Sequence, residues 1–415
     1  MEKNIDKRNV MWNMIGATTN AFTSLIFAII VTRINGLEEA GIFTYAFATA
    51  CLFFVIAIYS GRAFQVTDIT GKYSDTDYIY HRIITCIIMM LGILAFVFIK
   101  GYDIFKSSII ILLCFYKVTE AFSEVWYAIL QRKEQLYKVG ISMTIKAIIS
   151  MIVLLIVDYL TKNLILSCIS IISVNILTII FYDSKNINKI EIIKTKFNIE
   201  KIKSIFIAGF FTFVLTFLGA YLINAPRYAI DDILTSDLQT IFGIIIMPAT
   251  FMGLLGQYII QPALTKISNA LKEENYKKLK RIITFVISTI ILIGIFVLIV
   301  AYFLEAPVLG IIYGVDLKPY LLSMMVIILG SIMYSLGIMI SYILIAFRKT
   351  FMQAIIYAIV SIAATILSYM LVKRIEILGA SITYTITMTC IAISFLIYLI
   401  YNLRNIKVKW DKIKG

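Results

Sequence analysis

The sequence predicts an all-α integral membrane protein with twelve transmembrane helices, arranged as two pseudo-symmetric six-helix bundles. Of its 415 residues, 61% are hydrophobic and only 15% are charged, whereas a soluble domain carries about 25% charge. Six apolar runs long enough to cross a bilayer lie on either side of a lysine-rich interval near the middle of the chain. Because the alternating pattern of a membrane barrel is lacking, and because lipid satisfies no backbone polar groups, these spans must be helices.

The twelve spans follow from the apolar runs in order. They are residues 11–33, 40–60, 83–99, 107–130, 139–158, 163–182, 204–224, 238–262, 282–304, 319–345, 351–372 and 377–401. The first is interpreted as an uncleaved helix, because its apolar run exceeds the 7–15 residues of a signal-peptide core and no A-x-A-like site follows it. Pro248 predicts a kink within the eighth span, since proline removes a backbone hydrogen bond.

The lysine-rich interval, residues 183–203, separates a predicted N-terminal bundle (1–183) from a C-terminal bundle (204–415), with residues 184–203 as a basic linker. In each half the longest predicted cytoplasmic loop, residues 61–82 and residues 263–281, follows the second span. This repeated layout predicts parallel repeats about an axis along the membrane normal, a plan known in transporters. A coincidence of loop lengths is the alternative.

Two lysine-rich segments also carry apolar residues at helical spacing. One is the linker, with Ile190, Ile193 and Phe197, and the other contains Ile267, Leu271 and Leu279. Such segments are either interfacial helices on an anionic leaflet or solvated loops that follow the positive-inside rule.

Charge placement predicts the orientation of the chain. Most of its 38 Lys and Arg residues fall at the two termini and in the alternate loops on the same side of the membrane. Positively charged loops are cytoplasmic, so both termini are predicted to be cytoplasmic in a multi-pass protein of the bacterial plasma membrane. Because topology accounts for the net charge of +14, no nucleic-acid partner is expected.

Several kinds of chemistry are not expected. All five cysteines lie in apolar runs without a C-x-x-C pair, and the one histidine, His81, is predicted to lie in a polar loop. We therefore expect no catalytic residues, no metal and no cofactor. Since no P-loop motif occurs, transport would use an H⁺ or Na⁺ gradient, the substrate's own gradient or a partner.

The fourth span contains charges where lipid should be. Lys117, Glu120 and Glu124 are spaced i, i+3, i+7 and share one helical face. Each such charge near the bilayer centre costs roughly 2.5–3.5 kcal/mol, so this face must point into the protein or a wet cavity. Lys146 in the fifth span is expected at the depth of Glu124 and predicted to pair with it. These groups either contact substrate or form structural ion pairs.

Three arginines near span ends are further candidates for binding substrate: Arg33, Arg62 and Arg227. Arginine keeps its charge and binds phosphate through two parallel hydrogen bonds. The alternative role is snorkelling of the guanidinium group to lipid headgroups.

Four stretches of the sequence, in this order, resemble bacterial polysaccharide exporters of the Wzx type, members of the multidrug/oligosaccharidyl-lipid/polysaccharide (MOP) superfamily: TRINGLEEAGIFTYAFA, GRAFQVTDI, NAPRYAIDDI and IIIMPATFMGLLGQYIIQPALTKIS. The resemblance implies a MATE-like pair of bundles around a central cavity lined by cationic residues, with Arg33, Arg62 and Arg227 at the matching motifs. It also implies movement of undecaprenyl-pyrophosphate-linked oligosaccharide to the outer leaflet for surface polysaccharide biosynthesis. The two-half layout suggests alternating access.

That function implies lipid-linked oligosaccharide and membrane lipids as partners, with a polysaccharide polymerase and glycosyltransferases as further candidates. Within the superfamily, the alternative is a multidrug or cation antiporter. A membrane polymerase or ligase is a second alternative, although such enzymes usually have a large external domain and every predicted external loop is short. A peptidoglycan-precursor exporter would resemble a fourteen-span version, and a scaffold would leave Lys117 unexplained.

Overall fold

The computed structural model describes residues 2–66, 68, 72–347 and 349–414, with all their side chains except those of residues 2–7, 63, 257, 258, 261, 262, 265, 268, 272 and 409–414. These residues contain no β-strand, and the all-helical prediction is confirmed. The α-helices are α1 (Glu2–Ile58), α2 (Gly61–Val66), α3 (Asp75–Lys100), α4 (Ile104–Arg132), α5 (Leu136–Thr161), α6 (Leu164–Thr178), α7 (Ser184–Ile187), α8 (Ile199–Ile233), α9 (Ser236–Ile245), α10 (Met247–Lys272), α11 (Tyr276–Tyr313), α12 (Leu321–Ala346) and α13 (Thr350–Lys414). A π-helical turn (Ile179–Asp183) and a 3₁₀ turn (Lys318–Tyr320) complete the list.

The helices account for the predicted spans. Nine helices in the described ranges are long and apolar enough to cross a membrane. Two of them hold two spans each: α1 breaks at Gly36, and α13 breaks at Ile375 and Glu376. Gly36 has φ 86° and ψ −177°, a conformation essentially restricted to glycine. The fourth span is α4, which is not among the nine and carries the three charged residues noted above.

The interruption predicted at Pro248 is confirmed. Helix α9 ends at Ile245, and α10 begins at Met247 with Pro248 in its first turn. Proline is tolerated there because the first amides of a helix have no partner within the helix.

Two predictions about the third span are wrong. Helix α3 starts at Asp75 rather than residue 83, because Ser74 and Asp77 form a capping box in which each side chain accepts a hydrogen bond from the other's backbone amide. His81, predicted in a polar loop, therefore lies on a helix and is buried.

The chain divides into two compact units, Met1–Phe217 and Leu218–Gly415. The boundary between the units falls inside α8, because the first half of this helix packs on the N-terminal unit. The Tyr59 hydroxyl donates to the Phe206 carbonyl at 3.0 Å, and the Tyr59 ring stacks on Phe213 with centroids 4.7 Å apart. The division into bundles 1–183 and 204–415, drawn from the positions of the spans, stays a prediction.

The basic linker is not the amphipathic helix that was one of its two interpretations. Beyond the short α7, residues 191–198 have no helical structure. These residues are hydrogen-bonded to the start of α3: the Ile193 amide donates to Asp75 at 3.1 Å, and the Thr195 amide donates to Thr76 at 2.8 Å. Just beyond them, Lys201 at the start of α8 pairs with Asp77 at 3.3 Å. The apolar spacing misled because acidic and hydroxyl groups of α3 bind this backbone in an extended form.

The second basic segment is helical, but its apolar residues are covered by protein. Ile267 on α10 and Leu279 on α11 are fully buried in the C-terminal unit, and Leu271 on α10 is half-buried. The prediction of an interfacial helix on the lipid surface is therefore wrong for this segment too.

Close packing of α1 against α5 holds the N-terminal unit together. A Cβ atom at Gly140 would lie 2.1 Å from the Trp12 carbonyl oxygen, and one at Gly16 would lie 2.5 Å from the Gly140 carbonyl oxygen. Small residues that allow two backbones to touch are a common device of membrane helix packing.

This contact gives a testable prediction. Gly140→Ala should lower the free energy of unfolding by about 1–3 kcal/mol, because the obstructing atoms are backbone atoms that cannot turn away. Gly219→Ala is the matched control, since its nearest contact would be an ordinary 3.9 Å from the Tyr357 ring, and it should be neutral or slightly stabilising. Reversible unfolding in detergent micelles measures both, and equal effects would contradict the packing argument.

Candidate functional site

One face of α4 carries a buried ion pair. The Lys117 ammonium lies 2.7 Å from Glu120 one turn along the helix, and their side chains are 11% and 18% exposed. The ammonium also lies over aromatic rings, 4.8 Å from the centroid of Phe47, 5.6 Å from that of Phe54 and 5.4 Å from that of Tyr116. Phe47 and Phe54 come from the second half of α1, so the charged face of α4 points toward that helix. The prediction that this face turns into the protein is confirmed.

A second ion pair continues this face. Arg62 on α2 places its Nε 3.6 Å from Glu124, and both side chains remain about one quarter exposed. This separation is longer than that of a charge-assisted hydrogen bond. The Nη1 atom of Arg62 is buried and has no hydrogen-bond partner within the described residues. Arg62 is thus a weakly held cation.

The predicted pair of Glu124 with Lys146 is wrong. Lys146 lies 2.6 Å from Asp183 and also donates to Ser123 and Tyr127 at 2.6 and 3.0 Å. Ser142 donates to the other Asp183 oxygen at 2.6 Å. The Lys146 and Asp183 side chains are only 8% and 1% exposed. The pair is fully hydrogen-bonded inside the unit, which fits the structural alternative for Lys146.

Sequence reasoning missed Asp183 because it is the first residue of the lysine-rich interval 183–203, a polar stretch outside the predicted spans. The π-helical turn Ile179–Asp183 extends α6 by more than one turn and brings this carboxylate into the bundle. Single π turns inside α-helices are frequent at functional sites, but hydropathy shows no trace of one. The nearest signal in the sequence is a lysine in an apolar span, which requires an anion somewhere nearby.

Arg82 is a third cation that the sequence analysis did not select. Its Nη1 donates to the Ala57 carbonyl, which also accepts from Thr85 at 2.6 Å. The side chain is buried, and its Nε has no partner within the described ranges. Helix α3 packs against α4, so Arg82 adds a buried cation to the same unit as the charged face of α4. The capping box at Ser74 was the signal that could have placed Arg82 on a helix.

The other two selected arginines lie on α1 and α8. Arg33, near the break in α1, is exposed. Arg227 on α8 is half-buried, and its guanidinium lies 5.9 Å from the Phe242 ring centroid. They belong to different compact units. Substrate binding by the selected residues stays a prediction.

The arrangement in the N-terminal unit combines three cations with two carboxylates: Lys117, Arg62, Arg82, Glu120 and Glu124. Among the described residues no group of three or more His, Cys, Asp or Glu could hold a metal ion. The charged side chains of this arrangement can exchange partners. An anion can replace a carboxylate next to a guanidinium, and a cation can replace Arg62 or Lys117 next to a carboxylate.

The Lys146–Asp183 pair gives a second prediction. Lys146→Met or Asp183→Asn alone should cost about 3–5 kcal/mol of unfolding free energy, because each leaves an unpaired polar or charged group buried. The double variant should be less destabilised than the worse single variant, since it leaves no isolated charge. Unfolding in detergent micelles measures this cycle, and simple additivity of the two single costs would contradict the ion pair.

Comparisons with known proteins agree with this architecture. No protein-family model matches the chain. A curated relative, the capsular polysaccharide biosynthesis protein CapF of Staphylococcus aureus, is 26% identical over 393 residues, which are 94% of this chain and 98% of the relative.

Solved structures with the same fold are membrane transporters. The inward-facing conformation of a multidrug resistance MATE family transporter of the MOP superfamily has a TM-score of 0.74 at 14% identity, over 95% of this chain and 99% of that one. A MOP superfamily transporter from Pyrococcus furiosus has a TM-score of 0.62 at 14% identity, over 98% and 96% of the two chains. The chain therefore has the fold of these MOP superfamily transporters and is similar over nearly its whole length to a capsular polysaccharide biosynthesis protein, which confirms the predicted resemblance to this superfamily.

Proposed function

We propose that this protein moves undecaprenyl-pyrophosphate-linked oligosaccharide from the cytoplasmic to the outer leaflet of a bacterial cell membrane by alternating access. The fold and the full-length similarity to a capsular polysaccharide biosynthesis protein support a membrane transporter of the MOP superfamily. The proposed substrate is linked to a lipid, and the proposed process is surface polysaccharide biosynthesis.

The observation that carries the proposal is the charged face of α4 with its arginine neighbours. A pyrophosphate needs a shielded cationic route, whereas its lipid tail remains in the bilayer. Arg62 suits this task best, because its contact with Glu124 is long at 3.6 Å and one of its nitrogens is buried without a hydrogen-bond partner in the described part of the chain. Two pyrophosphate oxygens would replace Glu124 and form a bidentate contact with the Arg62 guanidinium.

Lys117 would be the second cation on this route. Seven residues separate it from Glu124, which corresponds to about 10 Å along the helix axis at 1.5 Å per residue. Its pairing with Glu120 keeps it stable in the empty protein. Arg33, Arg227 and the carboxylates Glu120 and Glu124 remain further proposed substrate-binding residues, and for Lys146 the pairing with Asp183 favours a structural role.

A multidrug or cation antiporter is the second candidate, since the multidrug MATE structures share this fold. Two carboxylates on α4 would suit an organic cation. Each of them, however, is already neutralised, Glu120 by Lys117 and Glu124 by Arg62. The surplus of cations at this site favours an anionic substrate.

The role of Lys117 is testable with a pair of variants. In proteoliposomes, Lys117→Ala should reduce translocation of lipid-linked oligosaccharide at least about tenfold, because a contact between a charge and the substrate is worth roughly 1.5–3 kcal/mol. Lys117→Ala/Glu120→Ala should stay impaired, because the cation is still missing. Restored translocation in the double variant would assign Lys117 a purely structural role, and normal translocation by Lys117→Ala would reject its role in transport.

The matched control for this test is Lys133→Ala. Lys133 caps the exposed end of the same helix and should tolerate the change with unaltered translocation.

The predicted orientation is testable separately. Alkaline phosphatase fused after residue 401 should be inactive, and green fluorescent protein fused there should fluoresce, because the positive-inside rule places the C-terminus in the cytoplasm. An active phosphatase fusion would contradict this orientation and with it the stated direction of transport.

A further inference from the structure

A polar, aromatic face lies within two apolar helices of the C-terminal unit. On α8, Tyr221, Tyr228 and Asp232 are spaced i, i+7, i+11 and share one side of the helix. Thr365 and Tyr369 are one turn apart on α13. These five residues, the tyrosine face, lie within helices that are long and apolar enough to cross a membrane. Polar groups in such helices face the bundle interior or a water-filled cavity.

Side chains connect the two helices across this face. The hydroxyls of Tyr221 and Thr365 are 2.6 Å apart, and the Tyr369 hydroxyl donates to Asp232. The rings of Tyr221 and Tyr228 are nearly parallel, at an interplanar angle of 15° and a centroid distance of 5.9 Å. The face is thus an ordered set of rings and hydroxyls.

The face remains partly open. Tyr369 is 36% exposed, Asp232 is exposed, and Tyr221 and Thr365 are half-buried, whereas Tyr228 is buried and supports the Tyr221 ring from within. Asn224, on the same side of α8 and also half-buried, adds an amide. Rings, hydroxyls, an amide and one carboxylate therefore stand together where a ligand could reach them.

This chemistry differs from that of the α4 face, which has three cations. Aromatic rings pack against the CH groups of a sugar ring, while hydroxyl, amide and carboxylate groups exchange hydrogen bonds with sugar hydroxyls. The charged member of the tyrosine face is the carboxylate of Asp232, which accepts hydrogen bonds from sugar hydroxyls but can donate none to a phosphate. Resting on the proposed function, we propose that the tyrosine face binds the saccharide part of the lipid-linked substrate.

The test compares two ligands that differ in the sugar. Binding of undecaprenyl pyrophosphate, and of the lipid-linked oligosaccharide fraction extracted from cells that express the protein, is measured on the full chain in nanodiscs. Tyr369→Leu should weaken binding of the oligosaccharide lipid about tenfold, because it removes both the ring and the hydroxyl. Tyr369→Phe keeps the ring and should weaken it about threefold. Binding of undecaprenyl pyrophosphate should be unchanged in both.

Tyr302→Leu is the matched control, because Tyr302 is also a tyrosine of the C-terminal unit but is 57% exposed elsewhere, on α11. It should change neither affinity. A tyrosine face that only holds helices together would weaken both ligands equally when altered, and either this result or unchanged binding of the oligosaccharide lipid by Tyr369→Leu overturns the inference.

The same measurement separates this inference from the proposed function. If the unaltered protein binds neither ligand, the proposed function and the inference fail together. If it binds both with equal affinity, the proposed function stands and the saccharide inference alone fails.

Discussion

The cost of an isolated charge among apolar helices is the constraint on which the N-terminal unit depends. Lys117 is paired with Glu120 on one helix, and Lys146 bonds Asp183 and the hydroxyls of Ser123 and Tyr127, while Ser142 donates to Asp183. The first pair settles which face of α4 turns inward, and the second settles the facing sides of α4, α5 and the end of α6, because a lipid-facing arrangement would expose charges costing several kcal/mol. Hydrophobic packing alone would leave those rotations open, since lipid tails are as apolar as the helix surfaces. The ion pairs therefore specify the packing of α4, α5 and α6 as much as they allow any binding of substrate.

Hydropathy predicted the membrane spans, which depend on the apolar solvent around them. It missed helix starts and ion-pair partners, which depend on individual neighbouring side chains. The spans emerged because the bilayer demands long apolar helices wherever they occur. The start of α3 was misplaced by eight residues because a capping box outweighed the polarity of Asp75 and its neighbours. Because of that error Arg82 was not selected as a candidate. An arginine in a solvated loop is ordinary, whereas a buried arginine on a helix indicates a functional or structural role.

The site shows the same division. The shared face of Lys117, Glu120 and Glu124 followed from helical periodicity, and the structure keeps it. The partners could not be predicted, because a lysine accepts any carboxylate that the tertiary fold brings near. Asp183 reaches Lys146 through a π-helical turn, and Arg62 reaches Glu124 from a short helix beyond the second span. Neither feature leaves a periodic signal in the sequence.

The two ion pairs on α4 differ in a way that bears on transport. Lys117 and Glu120 are 2.7 Å apart and neighbours on one helix, whereas Arg62 and Glu124 come from different helices and are 3.6 Å apart. A carboxylate beside Lys117 and another beside Arg62 neutralise these cations when no substrate is bound. An incoming anion therefore competes only with that carboxylate. The more widely separated pair, Arg62 with Glu124, would exchange partners first. Under the proposed function, a pyrophosphate would therefore engage Arg62 before Lys117.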